Sequence, residues 1–400
     1  MSCLGVNCFV EFYEPFMYRF RNGNKKSFCC LPQICLDFNV VYDKNISRAY
    51  STHSAAKSIK VCFFLCHLII SMKNKSLSFV TFLLLIRVVS IAQELRFRTD
   101  STFRIVQFTD IHYKAGAEPS KKSVSMMRAT LDDVKPDLVV FTGDVVVSAP
   151  TKQGWDEVLD LVISKKIPYL VTFGNHDDEN EMKRAEVAAY VAGKPYLLNK
   201  TAEINGVDGY LNGAVVIKGK SGTNAAVLYA MDSQAYSKNK RVDGYGWFSH
   251  NQVEWFRKTS SSFKQSRKDT LPALAFFHIP LPEYKIAFDN IKNKRRGVRY
   301  ENECAPQLNT GMYTAMLESG DVLGMFVGHD HVNDYLVDYN GIALAYGCFS
   351  GSENTYLRSK NGARVIELKE GKKEFKTYLR EFDGTILYPI TYPFPVPVKK

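Results

Sequence analysis

The stretch Val322-Leu323-Gly324-Met325-Phe326-Val327-Gly328-His329-Asp330-His331 runs an apolar strand-length segment straight into two histidines around an aspartate. The same arrangement recurs upstream. Residues 103–108 lead to Asp110-Ile111-His112, and residues 137–141 lead to Thr142-Gly143-Asp144. Residues 168–172 lead to Gly174-Asn175-His176-Asp177, and residues 274–277 deliver His278. Taken singly, an Asp-x-His or a Gly-Asp after a strand says little. Here five of the six histidines after residue 100 fall into one ordered set at expected strand ends. The sixth, His250, stands at an expected helix start and is read as structural. Hard carboxylates and borderline imidazoles are the donors a pair of metal ions needs.

Between these runs lie segments with helical spacing, at residues 120–134, 155–164 and 179–191. Strands alternating with helices of that length predict βαβ units and an α/β layered fold. Ligands of such sheets gather beyond the carboxyl ends of the strands, so donors distant in sequence meet at one edge. Further strands are expected at residues 213–217 and 225–231, and in a strand-rich last third at 335–337, Ile342–Tyr346, 363–368 and 375–379. Ser249 is the expected cap of a helix carrying Val253, Trp255 and Phe256, and residues 310–318 read as another helix. The chain has no internal repeat and no low-complexity linker, which predicts one domain over residues 93–400.

The N-terminal part differs in composition. Seven of the nine cysteines lie in residues 1–71, at spacings that match no metal site. These residues show no sustained periodicity and no recognisable domain; they read as an over-extended start with Met72 the initiator, or as a small extra domain. From Met72 a basic n-region, a short apolar run (77–86) and the small residues Ser90 and Ala92 follow. That pattern predicts a signal peptide over 72–92, and export to a periplasmic, extracellular or secretory compartment, with a retained membrane anchor as the alternative. The apolar run is shorter than the roughly 20 residues that span a bilayer. Of the overall net charge of +11, residues 93–400 keep only +4. A near-neutral body argues against a dedicated nucleic-acid surface. The basic runs 238–241 and 292–299 read as solvated loops, or as a rim that attracts phosphate.

The ordered segments resemble those of the calcineurin-like metallophosphoesterase superfamily, which carries D-x-H, G-D, G-N-H-D/E, H and G-H-x-H in this order. The resemblance extends through Leu228-Tyr229-Ala230-Met231-Asp232-Ser233, Gly244-Tyr245-Gly246-Trp247, Gln252-Val253-Glu254-Trp255-Phe256, and Phe276-Phe277-His278-Ile279-Pro280-Leu281-Pro282-Glu283-Tyr284. These are similar to the purple-acid-phosphatase-like branch, with its small plant members and fungal relatives. The resemblance covers about residues 100–385. It implies a layered β-sandwich flanked by helices (αββα), with a dinuclear metal site at the strand C-terminal ends. It implies a first metal on Asp110, His112, Asp144 and His331, and a second on Asp144, Asn175, His278 and His329, with Asp144 shared. A metal-bound hydroxide would then attack the phosphorus of a phosphate ester. His176 would hydrogen-bond a phosphate oxygen or protonate the leaving alcohol, oriented by Asp110 or a neighbouring group.

Two positions depart from purple acid phosphatases proper. Val147 stands where they place the tyrosine ligand, and His112 stands where they lack a histidine ligand. Manganese, iron and zinc all remain compatible with the donor set. The expected function is hydrolysis of phosphate esters. The alternatives are a cyclic-nucleotide or other phosphodiesterase or nuclease of the same superfamily, and a non-catalytic phosphate-binding module. Ser233, Tyr236, Tyr245, Trp247, Glu283 and Tyr284 flank the motifs, as pocket walls or as packing.

Overall fold

The computed structural model describes residues 10–13, 17–22, 25–30, 94–265, 270–351 and 361–395. The chain divides into two units, Met1–Ser90 and Ile91–Lys400. In the first, β1 (Val10–Tyr13), β2 (Met17–Asn22) and β3 (Lys25–Cys30) form an antiparallel sheet, an arrangement the sequence reading left unassigned. The expected signal peptide, 72–92, lies outside the described residues.

The second unit contains two sheets. One has six strands, in the order β17 (Ile386–Tyr392), β16 (Phe375–Glu381), β15 (Gly362–Lys369), β5 (Thr102–Phe108), β6 (Leu138–Thr142) and β7 (Tyr169–Thr172). The other has eight: β11 (Arg295–Arg296), β13 (Leu336–Tyr339), β14 (Ile342–Tyr346), β12 (Val322–Val327), β10 (Ala273–Phe276), β9 (Asn224–Ala230), β8 (Gly213–Lys218) and β4 (Leu95–Arg96). Strands β5, β6 and β7 run parallel, as do β9, β10, β12 and β14.

Period-two alternation makes each sheet two-faced. Leu138 and Val140 pack with Leu228, Leu274, Phe276 and Phe326 in the layer between the sheets. Their neighbours Val139 and Phe141 turn the other way, onto the helices α1 (Glu118–Val134), α2 (Thr151–Ile163) and α3 (Arg184–Ala192). Val227, Tyr229 and Ala275 likewise face α4 (His250–Gln265), α5 (Glu283–Asp289) and α6 (Met312–Ser319). The result is the expected helix–sheet–sheet–helix stack. Gln107, buried on β5, stitches across it by donating to Thr142 Oγ1 (2.8 Å) and to the Val327 carbonyl on the opposite sheet (3.0 Å).

Ser249 caps α4 as expected. Its Oγ accepts from Gln252 N (3.4 Å) and the Gln252 side chain accepts from Ser249 N (3.0 Å), a reciprocal box. One helix differs from its expected span. Residues 179–183 are irregular, and α3 begins only at Arg184. Arg184 explains the delay: its buried guanidinium is drawn to Gly174 O (2.7 Å), Asp178 (3.0 Å) and Asp232 (2.6 Å), which holds the preceding chain off helical geometry. The strands β4, β11 and β17 and the helix α5 were not expected. Among the described residues, no helix is long and apolar enough to cross a membrane.

Trp155 on α2 is fully buried and packs edge-on against Phe173, 6.0 Å between ring centroids, directly beneath the Gly174–His176 turn. Trp155→Ala is expected to lower the unfolding free energy by about 3–5 kcal/mol. A urea titration of variant and parent reads this, and a loss under about 1 kcal/mol would show that the surrounding core collapses to fill the space.

Candidate metal centre

Each donor follows a strand of the parallel parts of the two sheets. Asp110 and His112 follow β5, Asp144 follows β6, Asn175 follows β7, His278 follows β10, and His329 and His331 follow β12. The turns that carry them are tight. Asp110 (φ 53°), His112 (φ 48°), Asp144 (φ 50°) and His329 (φ 79°) all adopt left-handed backbone. Each such non-glycine residue costs of order 1–3 kcal/mol, which the surrounding structure must offset.

The offset is visible in backbone pairing. His112 N donates to Asp144 O (2.9 Å), Tyr113 N to Val145 O (2.9 Å), and Asp110 N to Gly143 O (3.1 Å). His329 N donates to both Asp110 carboxylate oxygens (3.1 and 3.0 Å). Buried Asp177 accepts from the backbone N–H groups of Asp144 (2.9 Å), Val145 (2.8 Å), Val146 (3.2 Å) and Gly174 (2.8 Å). The motif glycines leave room for the donors. A Cβ on Gly174 would collide with the Asp144 carboxylate, and one on Gly328 with Thr109 and Asp110.

The donors then converge in two groups. Ligand atoms of Asp110, His112 and His331 lie within 4.8 Å of one another, as do those of Asp144, His278 and His329. Asp144, a member of the second group, also reaches the first: its Oδ2 is 3.7 Å from His112 Nε2 and 3.2 Å from His278 Nε2. His112 Nε2 and His331 Nε2 approach to 3.1 Å, and His329 Nδ1 is 3.3 Å from His278 Nε2. His278 Nδ1 lies 2.8 Å from Thr142 O, which fixes that nitrogen as the donor and turns Nε2 inward. The Ser233 hydroxyl accepts from His278 N (3.3 Å) and Ile279 N (2.9 Å), so this residue sets the end of β10.

Electrostatics suit a cation. Burial pushes His112 down to about 4 and His329 down to about 3, which keeps both imidazoles neutral and able to coordinate. Burial acts against a charge on His278 too, but Asp144 and Asp110 beside it raise it to about 9. Burial and the neighbouring Asp144 charge raise Asp177 to about 6. Asn175 Oδ1 and His329 Nε2 are buried without a hydrogen-bond partner among the described residues. An unsatisfied buried polar atom costs about 1–3 kcal/mol, and a bound cation gives such an oxygen its partner. The donor set therefore fits two metal ions.

His176 stands apart from both groups, one-third exposed at the mouth. Its backbone N–H donates to Asp144 Oδ1 (2.8 Å), and its ring centroid is 5.5 Å from that of His112. The expected orienting partner was Asp110 or a neighbour. Glu179 is the residue found there, with its Oε2 2.5 Å from His176 Nδ1. The i, i+3 spacing of Gly174-Asn175-His176-Asp177-Asp178-Glu179 was the available signal; reading 179 as the start of a helix hid it. Asp177 was likewise missed as an anchor. Of the flanking residues, Tyr284 is packing, with its hydroxyl donating to Met325 O (2.9 Å), whereas Tyr236 and Tyr245 stand at the mouth. His250 is exposed at the head of α4, as read.

Asp177→Asn preserves shape but turns an NH2 group toward backbone N–H donors. It is expected to weaken metal binding about 10–100-fold, measured by competition with a chromophoric chelator. Unchanged affinity would remove Asp177 from the support of the centre.

Residues 103–333 match the family model for calcineurin-like phosphoesterases. The chain is 32% identical over 327 residues to a protein of Arabidopsis thaliana named probable inactive purple acid phosphatase 14, covering 72% of this chain and 80% of that one. It is also 32% identical over 328 residues to phosphatase DCR2 of Saccharomyces cerevisiae, covering 72% of this chain and 55% of that one. A dimetal phosphatase from Danio rerio shares the fold at 13% identity, with a TM-score of 0.52 over 73% of this chain and 99% of the other. A family match across more than half the chain, on the segments that bring these donors together, makes this protein a member of the calcineurin-like phosphoesterase family.

Proposed function

We propose that this chain is a metal-dependent hydrolase of phosphate esters. One metal would sit on Asp110, His112, Asp144 and His331, and a second on Asp144, Asn175, His278 and His329, with Asp144 held in common. The observation that carries the reading is the pair of three-residue donor groups, Asp110–His112–His331 and Asp144–His278–His329, with Asp144 also 3.7 Å from His112 and a histidine–glutamate couple at their mouth. Metal ions bound there would acidify a water near neutral pH and offset charge on the phosphoryl oxygens.

The chain's own residues supply the rest. His176 Nδ1 is taken by Glu179, so Nε2 is the nitrogen free to meet a phosphate oxygen or to give a proton to the leaving alcohol. Glu179 acts through His176 as a positioning residue. The backbone bond from His176 to Asp144 fixes the ring relative to the donors. The word inactive in the names of plant relatives supports a second reading, a phosphate-binding module without turnover. Against it, every donor of the expected set and His176 are present in this chain. Export through residues 72–92 belongs to the proposal as its compartment; N-terminal sequencing of the protein recovered from its native host tests it, with a mature terminus near Gln93 expected.

The function is tested on the full chain, stripped of metal and reloaded with manganese, iron or zinc. Hydrolysis of p-nitrophenyl phosphate and of bis-p-nitrophenyl phosphate is expected to return with metal, and their ratio separates monoesterase from diesterase. His176→Ala is expected to lower kcat about 100- to 10,000-fold with metal content unchanged. Two metals bound per chain without turnover on either ester would favour the binding module.

A further inference from the structure

Residues 235–246 form an arm over the centre that the phosphoesterase chemistry leaves unused. Ser237 N donates to Gly244 O (2.9 Å) and Gly246 N to Ala235 O (2.8 Å), and Tyr236 pairs antiparallel with Tyr245. The arm is therefore a short β-ribbon, and it carries two tyrosines on one face. Their rings stack, 5.6 Å between centroids at an interplanar angle of 22°. The inner ring, Tyr245, meets His329 edge-on at 4.4 Å. The outer ring, Tyr236, remains 45% exposed. Its hydroxyl accepts from Asn175 Nδ2 (3.2 Å), and its centroid is 6.4 Å from that of His176. An exposed aromatic face therefore stands beside His176, the residue that meets the phosphate or the leaving alcohol in the proposed function. The tip of the same arm adds charge: Lys238, Lys240 and Arg241 are exposed, against a single exposed acid, Asp243.

We infer that the Tyr236–Tyr245 arm is a nucleoside subsite, and that the phosphate esters this centre takes are nucleotides. The inference rests on the phosphoesterase reading and narrows its substrate class. A base stacked on Tyr236 gains about 1–3 kcal/mol, and stacking of this kind tolerates any base because every base offers a π-face. The tip cations attract a polyanion before it docks, which favours nucleotides of higher charge and makes the preference salt-dependent. A purely alkyl phosphate would use neither feature. Hydrolysis at this centre breaks the bond from the attacked phosphorus to its leaving oxygen, which is the nucleoside oxygen of a monophosphate or the bridging anhydride oxygen of a higher nucleotide; the hydroxyl of water adds to phosphorus and its proton goes to the departing oxygen or to solvent.

The test measures binding, so it does not depend on turnover. Phosphonate analogues, with carbon in place of the bridging oxygen, are titrated calorimetrically into the full-length, metal-loaded chain. The adenosine monophosphate analogue is expected to bind about 5- to 150-fold more tightly than the ribose 5-phosphate analogue, the range that 1–3 kcal/mol of stacking gives. Tyr236→Ala is expected to erase that difference by weakening the adenosine ligand alone. Tyr236→Phe, which keeps the ring and loses the hydroxyl, is expected to preserve it. Replacing Lys238, Lys240 and Arg241 together with alanine is expected to slow association of an adenosine triphosphate analogue at low salt. Equal affinity for the adenosine and ribose analogues overturns the inference, as does equal weakening of both by Tyr236→Ala. Phenylphosphonate binding as tightly as the adenosine analogue overturns it too, in favour of simple aryl phosphates. A base preference without turnover on any ester leaves the subsite standing and removes the phosphoesterase reading instead.

Discussion

The Asp177 carboxylate accepts four backbone N–H groups, three from the turn after β6 and one from the turn after β7. Without it, the turn bearing Asp144 has no internal reason to hold left-handed backbone. Asp144 then pins its neighbours in turn, through its carbonyl to His112 N and its Oδ1 to His176 N. Asp110 does the same across the sheets, by accepting from His329 N. Two buried carboxylates thus serve both as candidate ligands and as acceptors for the backbone of the opposite turn. Four strained donor positions can exist only because the apolar layer between the sheets is a rigid base. The strands end where that layer ends, and the donors begin there.

Much of this was legible from sequence, because the strands that carry donors are buried on both faces. Such strands read as short unbroken apolar runs, and Val322–Val327 and Ile342–Tyr346 were read to the residue. The donors themselves were legible because they follow those runs at once. What escaped has a common cause: it depends on contacts made by other parts of the chain. The edge strand β17 contains Pro389, which argues against a strand in sequence but is tolerated at a sheet edge. The two-residue strands β4 and β11 are too short to show any period. The left-handed turns at His112 and His329 leave no compositional mark, since neither is glycine. Glu179 was lost to a helical pattern that the Arg184 contacts override.

The charge arrangement also separates the roles of the histidines, which sequence alone treats alike. His278 is fully buried between two carboxylates, His329 is buried and His112 half-buried, and the last two are neutral. These are settings for coordination, where a metal takes the place of a proton or accepts a nitrogen lone pair. His176 is held at the mouth, with one nitrogen occupied by an exposed glutamate. That is a setting for contact with substrate. With valine at position 147 no phenolate is offered there, and the first group has carboxylate and imidazole donors only, a set open to several divalent ions.

One buried cation links this centre to the arm above it. Arg184 donates to Gly174 O beneath Asn175 and His176, to Asp178 in the same loop, and to Asp232 and the Gln234 carbonyl at the root of the arm. Asp232 in turn accepts from Gln234 N (2.9 Å) and Tyr210 N (2.9 Å), so its charge is fully engaged. A planar guanidinium with five donors in a fixed fork can hold two segments at one distance, which a lysine cannot. The turn that presents Asn175 and His176 is therefore built in register with the ribbon that presents Tyr236, and the 3.2 Å bond between Asn175 and Tyr236 is the consequence at the surface. Pulling either carboxylate away from the largely buried Arg184 would leave a charge without its partner, so the ion pairs hold the two segments at a fixed spacing. The aromatic face and the Asn175 donor are thereby held at one spacing by the same buried contacts.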